Sequence, residues 1–286
     1  MNNSVFKELW YKMVHSGSRL NLFIGINIVV FLVLGIMRVF EFLFTRSVVL
    51  TELSANLLSV PASLPALAYK FYTPFTYMFS QVDFFHLLFN MLTFYWFGRI
   101  LEDFTTNKQF TFLYLAGGLA GALFFIAAYH TFPAFRDNIP FATLIGASAS
   151  VSAIVFAAAT LVPEFSINLL LIGPVKLKYL ALAFALLDFL SIGLSNPGGS
   201  ISHLGGALLG FVYIKQLQAG NDWSKIFKKR TRMKVIRPER RTKPNTSAAL
   251  PDQDVIDGIL DKISKSGYES LSKQEKEQLF KASNKQ

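Results

Sequence analysis

The sequence predicts an all-α, polytopic membrane protein built on a bundle of six transmembrane helices. Three observations carry this. Of 286 residues, 52% are hydrophobic and 16% charged, against about 25% charged in ordinary soluble domains. Mean hydropathy is +0.40. The charges also fall between and after long apolar runs, as lipid-embedded segments require. No cysteine occurs, which excludes disulfides and thiolate metal sites.

Residues 1–19 are polar and carry no cleavable signal pattern, so they are expected to remain as a cytoplasmic tail and the first apolar run as a helix. That helix covers residues 20–44, with Arg38 and Glu41 near its end, able to snorkel or pair. Residues 45–76 hold Pro61, Pro65 and Pro74 yet stay apolar, which predicts short amphipathic pieces in the membrane interface. Helices two and three cover 84–101 and 110–129, and helix four covers 148–162 before Pro163. A polar turn with Pro174, Lys176 and Lys178 leads to helix five, ending near Gly193. Residues 195–199 read as a loop, and helix six covers 201–217.

Orientation follows from Lys and Arg. With the N-terminus inside, the short inside segments hold seven and the outside segments four, and the other seventeen lie from Lys215 onward. That bias places both termini in the cytoplasm. The net charge of +10 thus reads as orientation and contact with anionic lipid, with no nucleic-acid partner. Residues 20–217 form the membrane domain and 218–251 a basic juxtamembrane linker. Residues 252–286 form a small helical hairpin, with Ile256, Ile259, Leu260 and Ile263 on one face. Gly267 serves as a cap, and Ser272 with Glu275 matches a capping box.

Polar residues recur near the outer starts of helices two, four and six: His86, Ser148 and His203. Asn90 follows His86 by four residues and shares its face. Polar groups in a bilayer are costly and face a bundle interior or a wet cavity, so three at similar depth point to one site. Helix four, fifteen residues long, spans roughly 23 Å at ~1.5 Å each, short of the ~30 Å hydrocarbon core. Ser148 should therefore lie below the outer surface, behind a segment that dips inward beside a cavity. Its place in a first helical turn puts unpaired N–H groups and the positive helix end beside it, as a developing oxyanion needs. Gly199, Gly206 and Gly210 make one small-residue stripe with His203, and such stripes allow close helix approach. A histidine base within reach of a hydroxyl is the minimal activated nucleophile.

His86-Leu87-Leu88-Phe89-Asn90, followed by Gly98-Arg99-Ile100-Leu101-Glu102, resembles the second helix of rhomboid intramembrane serine proteases. Gly146-Ala147-Ser148 resembles that family's G-x-S-G motif, and Ser202-His203-Leu204-Gly205-Gly206 its A-H-x-G-G. The run from Tyr72 to Phe79 is similar too, and the tail resembles a cytoplasmic extension of some bacterial members. The resemblance implies a six-helix rhomboid-like bundle in a bacterial cell membrane, cutting transmembrane segments of other proteins. It implies Ser148 as nucleophile and His203 as general base, a dyad without an acid. His86, Asn90 and the Ser148 N–H would then form the oxyanion hole, with no cofactor and no metal. Four positions depart from the family pattern: Ala149 for the glycine after the serine, Gln81 for a histidine, Ser202 for an alanine and Ser152 for an aromatic. Ala149 adds a methyl where helix six is expected to pack. Two rivals stand: a rhomboid-like binder of transmembrane segments without catalysis, and a transporter using His86 and His203 as a proton relay. For the transporter, no internal repeat is visible and Asp188 is the lone acid in a late helix.

Overall fold

The computed structural model describes residues 5–169, 172–194, 196–226 and 253–283. The chain divides into two compact units, with the boundary after residue 228. Of the basic juxtamembrane linker expected over 218–251, residues 227–251 lie outside the described residues.

The first unit opens with α1 (Val5–Val14) and α2 (Arg19–Thr45). Ser18 caps α2 by accepting the Asn21 N–H. Arg46, in the left-handed region at φ 55°, ends it. The apolar stretch that follows folds into α3 (Val49–Leu58), α4 (Leu64–Tyr69) and α5 (Thr73–Thr76). Pro65 and Pro74 sit in the first turns of α4 and α5, where a missing N–H costs nothing. Between α3 and α4 runs β1 (Val60–Pro61), paired antiparallel with β2 (Thr143–Leu144).

Next come α6 (Phe84–Glu102), capped by Asp83, and α7 (Asn107–Thr131), opened by a capping box of Thr106 and Gln109. Then follow α8 (Ser148–Leu161), α9 (Leu177–Ser191) and α10 (Pro197–Gln218). Two boundaries differ from expectation. The polar turn before α9 is a hairpin, β3 (Ser166–Leu169) with β4 (Gly173–Lys176). Pro197-Gly198-Gly199 belongs to α10, because proline suits a first helical position and the Asn196 side chain caps the Gly199 N–H at 3.0 Å.

The core is α8, whose alanines and serines let α6, α7 and α10 close around it. Large apolar side chains face outward instead: Leu32, Ile36 and Phe40 of α2, Phe85 and Trp96 of α6, Leu186 and Phe189 of α9. That inversion suits a lipid solvent. By length and composition, α2 and α7 alone among the described helices are long and apolar enough to cross a membrane unaided.

The second unit is a hairpin of α11 (Gln253–Ser266) and α12 (Lys273–Ser283). Ile259 and Leu271 are its buried residues, and Lys262 bridges to Glu275 at 2.9 Å. Ser272 and Glu275 exchange backbone and side-chain hydrogen bonds as a capping box.

Candidate active site

Ser148 is positioned by the strand-like segment before it. β2 pairs with β1, Ala62 N donates to Ala142 O at 2.9 Å, and Gly146 N donates to Tyr77 O at 3.0 Å. These backbone groups ahead of α8 are thereby satisfied by neighbouring backbone, as burial requires. Gly146 has φ 130°, a region that favours glycine. A Cβ there would also stand 3.1 Å from His86 Cε1 and 3.8 Å from Ser148 Oγ. The glycine thus lets the chain turn into α8 while His86 and Ser148 stay close. No side chain caps α8, so its first-turn N–H groups are left for an anion.

A cavity of about 210 Å³ opens beside this turn. His86 and Asn90 of α6, Ser148 and Ser152 of α8, Phe184 and Asp188 of α9, and His203 of α10 all line it. The four residues singled out from sequence for chemistry are therefore brought together. A further polar group of the lining, Asp188, was not foreseen at this site. Its Oδ1 lies 2.7 Å from His203 Nδ1, with both side chains about three-quarters buried, at 21% and 25% exposure. The histidine thus has an acidic partner where the resemblance implied none. Ser148 Oγ and His203 share the cavity without a hydrogen bond between them. Catalytic hydrogen bonds are often long until substrate binds. Among the described residues, no group of three or more metal-ligating side chains is placed to hold an ion.

Asn90 is held from behind. Its Nδ2 donates to Gln81 Oε1 at 2.9 Å, and Gln81 Nε2 donates to Asn27 Oδ1 at 3.1 Å. Asn27 Nδ2 donates to Tyr114 OH at 3.0 Å, and that hydroxyl donates to Met78 O at 2.8 Å. Asn27, Gln81 and Tyr114 are completely buried, so this row across α2, α6 and α7 is a connected polar network in an apolar core. Only one Asn90 N–H is used in it, leaving the other for the cavity. Sequence reading flagged Gln81 as a departure but missed Asn27, whose signal was an amide inside an otherwise apolar first helix.

The seam between α8 and α10 sets where His203 stands. A Cβ on Gly206 would collide with the Ala149 carbonyl oxygen, and one on Gly210 with that of Ala153. The Ala149 methyl points elsewhere, into the notch over Gly121 of α7, and is almost fully buried. It lines no part of the cavity. Ser150 and Ser202 also pack fully buried against α7, while Ser152 lines the cavity. Gly199 lies away from the cavity and serves the start of α10.

The rhomboid domain family model matches residues 68–218, more than half of the chain and all of the cavity's lining. The chain belongs to the rhomboid family. It is accordingly a helical integral membrane protein. A second match, to a family of unknown function (DUF6576), covers residues 250–285 and hence the hairpin unit. RHOMBOID-like protein 12, mitochondrial, of Arabidopsis thaliana is 33% identical over 164 residues. The alignment takes in 53% of this rhomboid and 48% of the relative, so the chain spans about half the length of the relative it matches.

Proposed function

We propose that this rhomboid is an intramembrane serine endopeptidase that cleaves transmembrane segments of other membrane proteins. The observation that carries the reading is convergence: His86, Asn90, Ser148 and His203, from three separate helices, line one cavity at an uncapped helix start. In that reading Ser148 Oγ attacks a peptide carbonyl carbon and its proton passes to His203 Nε2. The oxyanion is held by the Ser148 N–H, the free Asn90 N–H and the His86 ring. Collapse breaks the C–N bond, and the imidazolium gives its proton to the leaving amine. Water then attacks the acyl ester, losing a proton to His203, and Ser148 Oγ leaves with that proton.

The reading extends to six membrane spans: α2, α6, α7, α8, α9 and α10. α8 is short because its start is re-entrant, and α10 is low in hydropathy because glycine and serine pack it against α8. The Lys and Arg bias assigns both termini to the cytoplasm, and the resemblance to bacterial members supports a bacterial cell membrane, with membrane lipids and single transmembrane segments as partners.

The test is covalent. A fluorophosphonate should label wild-type chain at Ser148 alone, less at acid pH, where an imidazolium cannot accept the proton. Labelling should nearly vanish in His203→Ala and persist in Ser150→Ala and Ser152→Ala. Ser148→Ala should abolish cleavage of a transmembrane substrate while the bundle stays folded. An inert wild type whose binding of such a segment survives Ser148→Ala would establish the non-catalytic binder instead. Cleavage persisting in Ser148→Ala would end the serine mechanism.

A further inference from the structure

We infer that Asp188 is a positioning residue for His203 and extends the pair of Ser148 and His203 to a three-residue array. This rests on the protease reading above. The geometry is specific. Asp188 Oδ1 meets His203 Nδ1, not Nε2, at 2.7 Å. A carboxylate accepting from Nδ1–H fixes the tautomer in which Nε2 is bare and able to take a proton. It also fixes the ring plane. Both matter because His203 has no hydrogen bond to Ser148 that would orient it from the other side.

The surroundings leave this role to Asp188. Facing His203 across the cavity are His86 from α6, the hydroxyls of Ser148 and Ser152 from α8, and Asp188 from α9. Asp188 is the lone anion in that set. It is also, among the described residues, the source of the one side-chain hydrogen bond from α9 to another helix. α9 otherwise shows the cavity Phe184 and shows the outside Leu182, Leu186, Leu187 and Leu190. A carboxylate on so apolar a helix is costly unless it is partnered. No proton reaches Asp188 in the cycle. The Ser148 hydroxyl proton moves to His203 Nε2 and later returns, and the carboxylate stabilises the intervening imidazolium by charge.

The size of the effect follows from exposure. Replacing a triad aspartate by asparagine in a soluble serine protease lowers turnover about 10⁴-fold through the wrong tautomer. Asp188 retains 21% exposure, so water can replace part of its field. Asp188→Asn should therefore lower kcat by roughly 10²-fold or more while leaving KM for a transmembrane substrate nearly unchanged. Asp188→Glu, keeping the carboxylate, should recover much of the loss. A purely structural tie between α9 and α10 would show instead as a lower melting temperature or a changed KM with kcat intact. A direct measurement on the full wild-type chain needs no variant: ¹⁵N spectra of labelled histidines should show His203 protonated at Nδ1 and bare at Nε2 near neutral pH. Asp188→Asn with wild-type kcat overturns the inference, as does the opposite tautomer. A rise in kcat would overturn it too, since Asp188 would then be restraining His203. A wild type that neither labels nor cleaves would overturn the protease reading itself, whereas normal wild-type cleavage with an indifferent Asp188→Asn overturns the three-residue array alone.

Discussion

Asn90 owes its place to residues it does not touch. Gln81 holds its amide, and Asn27 holds Gln81, so the orientation of one cavity group is set from α2. Removing Asn90 itself should act on the transition state. Losing one oxyanion donor costs ~10²–10³ in turnover, and Asn90→Ala should approach that in kcat with little change in KM. Gln81→Leu is the sharper test. It strands Asn27 Oδ1 and Asn90 Nδ2, each a buried group whose lost partner costs about 1–3 kcal/mol. Thermal unfolding in detergent should show a clear loss of stability, and kcat should fall with it. If Gln81→Leu turns over like wild type while Asn90→Ala does not, the row is structural and does not orient Asn90. Ala149→Gly belongs to the same scale. The methyl fills the Gly121 notch and avoids the cavity, so the change should lower stability by about 1 kcal/mol, from helix propensity and lost packing, and should not raise activity.

Among the elements, α10 against α8 is the contact on which the geometry turns. In an ordinary helix Gly→Ala stabilises by up to about 1 kcal/mol. At Gly206 and Gly210 the new methyl meets a carbonyl oxygen of α8, and overpacking costs about 1–3 kcal/mol. Sterics should win. Both Gly206→Ala and Gly210→Ala should melt earlier than wild type, with Gly206→Ala losing more activity because it lies three residues from His203. A raised melting temperature in either would mean the helices are not in close contact there. This seam was legible in the sequence, since a small-residue stripe around one histidine leaves few other readings. His86, Asn90, Ser148 and His203 were legible because spacing and helix order brought them to one level. Asp188 was visible only as a lone acid. Its pairing depends on how α9 and α10 are rotated about their axes. Their short connection did carry a hint, since Asp188 lies three residues before the end of α9 and His203 six after the start of α10. The β3–β4 hairpin was missed because a proline and lysines read as a turn, while strand pairing of so short a segment is decided by register.

For the whole molecule, the question is where the membrane unit ends. The sequence places that end at residue 217, but α10 is followed by a docked segment. Asp222 accepts from Gln109 Nε2 of α7 and from Tyr213 OH of α10, each at 3.1 Å, and from Ser224 Oγ at 2.6 Å. Trp223 lies edge-on to Tyr213. Burial pushes the Asp222 carboxyl up, but hydrogen bonds from Ser224, Lys225 and Gln109 outweigh it and hold the group at about 2. A folded value below the ordinary 3.8 means a contribution present above the unfolded value and lost as pH falls toward the folded one. Two truncations separate core from tail. Ending the chain at Ile226 should leave melting temperature and cleavage close to those of the full chain, because the cavity is lined from within residues 86–203. Ending it at Gly220 removes Asp222 and Trp223 and strands the Gln109 amide and the Tyr213 hydroxyl. That shorter form should insert but melt several degrees lower. The gap between the two should be complete at neutral pH and shrink between pH 4 and pH 2, where the Asp222 contribution disappears. The same narrowing should appear between the longer form and its Asp222→Asn variant. Equal melting of the two truncations at pH 7 would show that residues 221–226 add nothing, and that the membrane unit ends with α10.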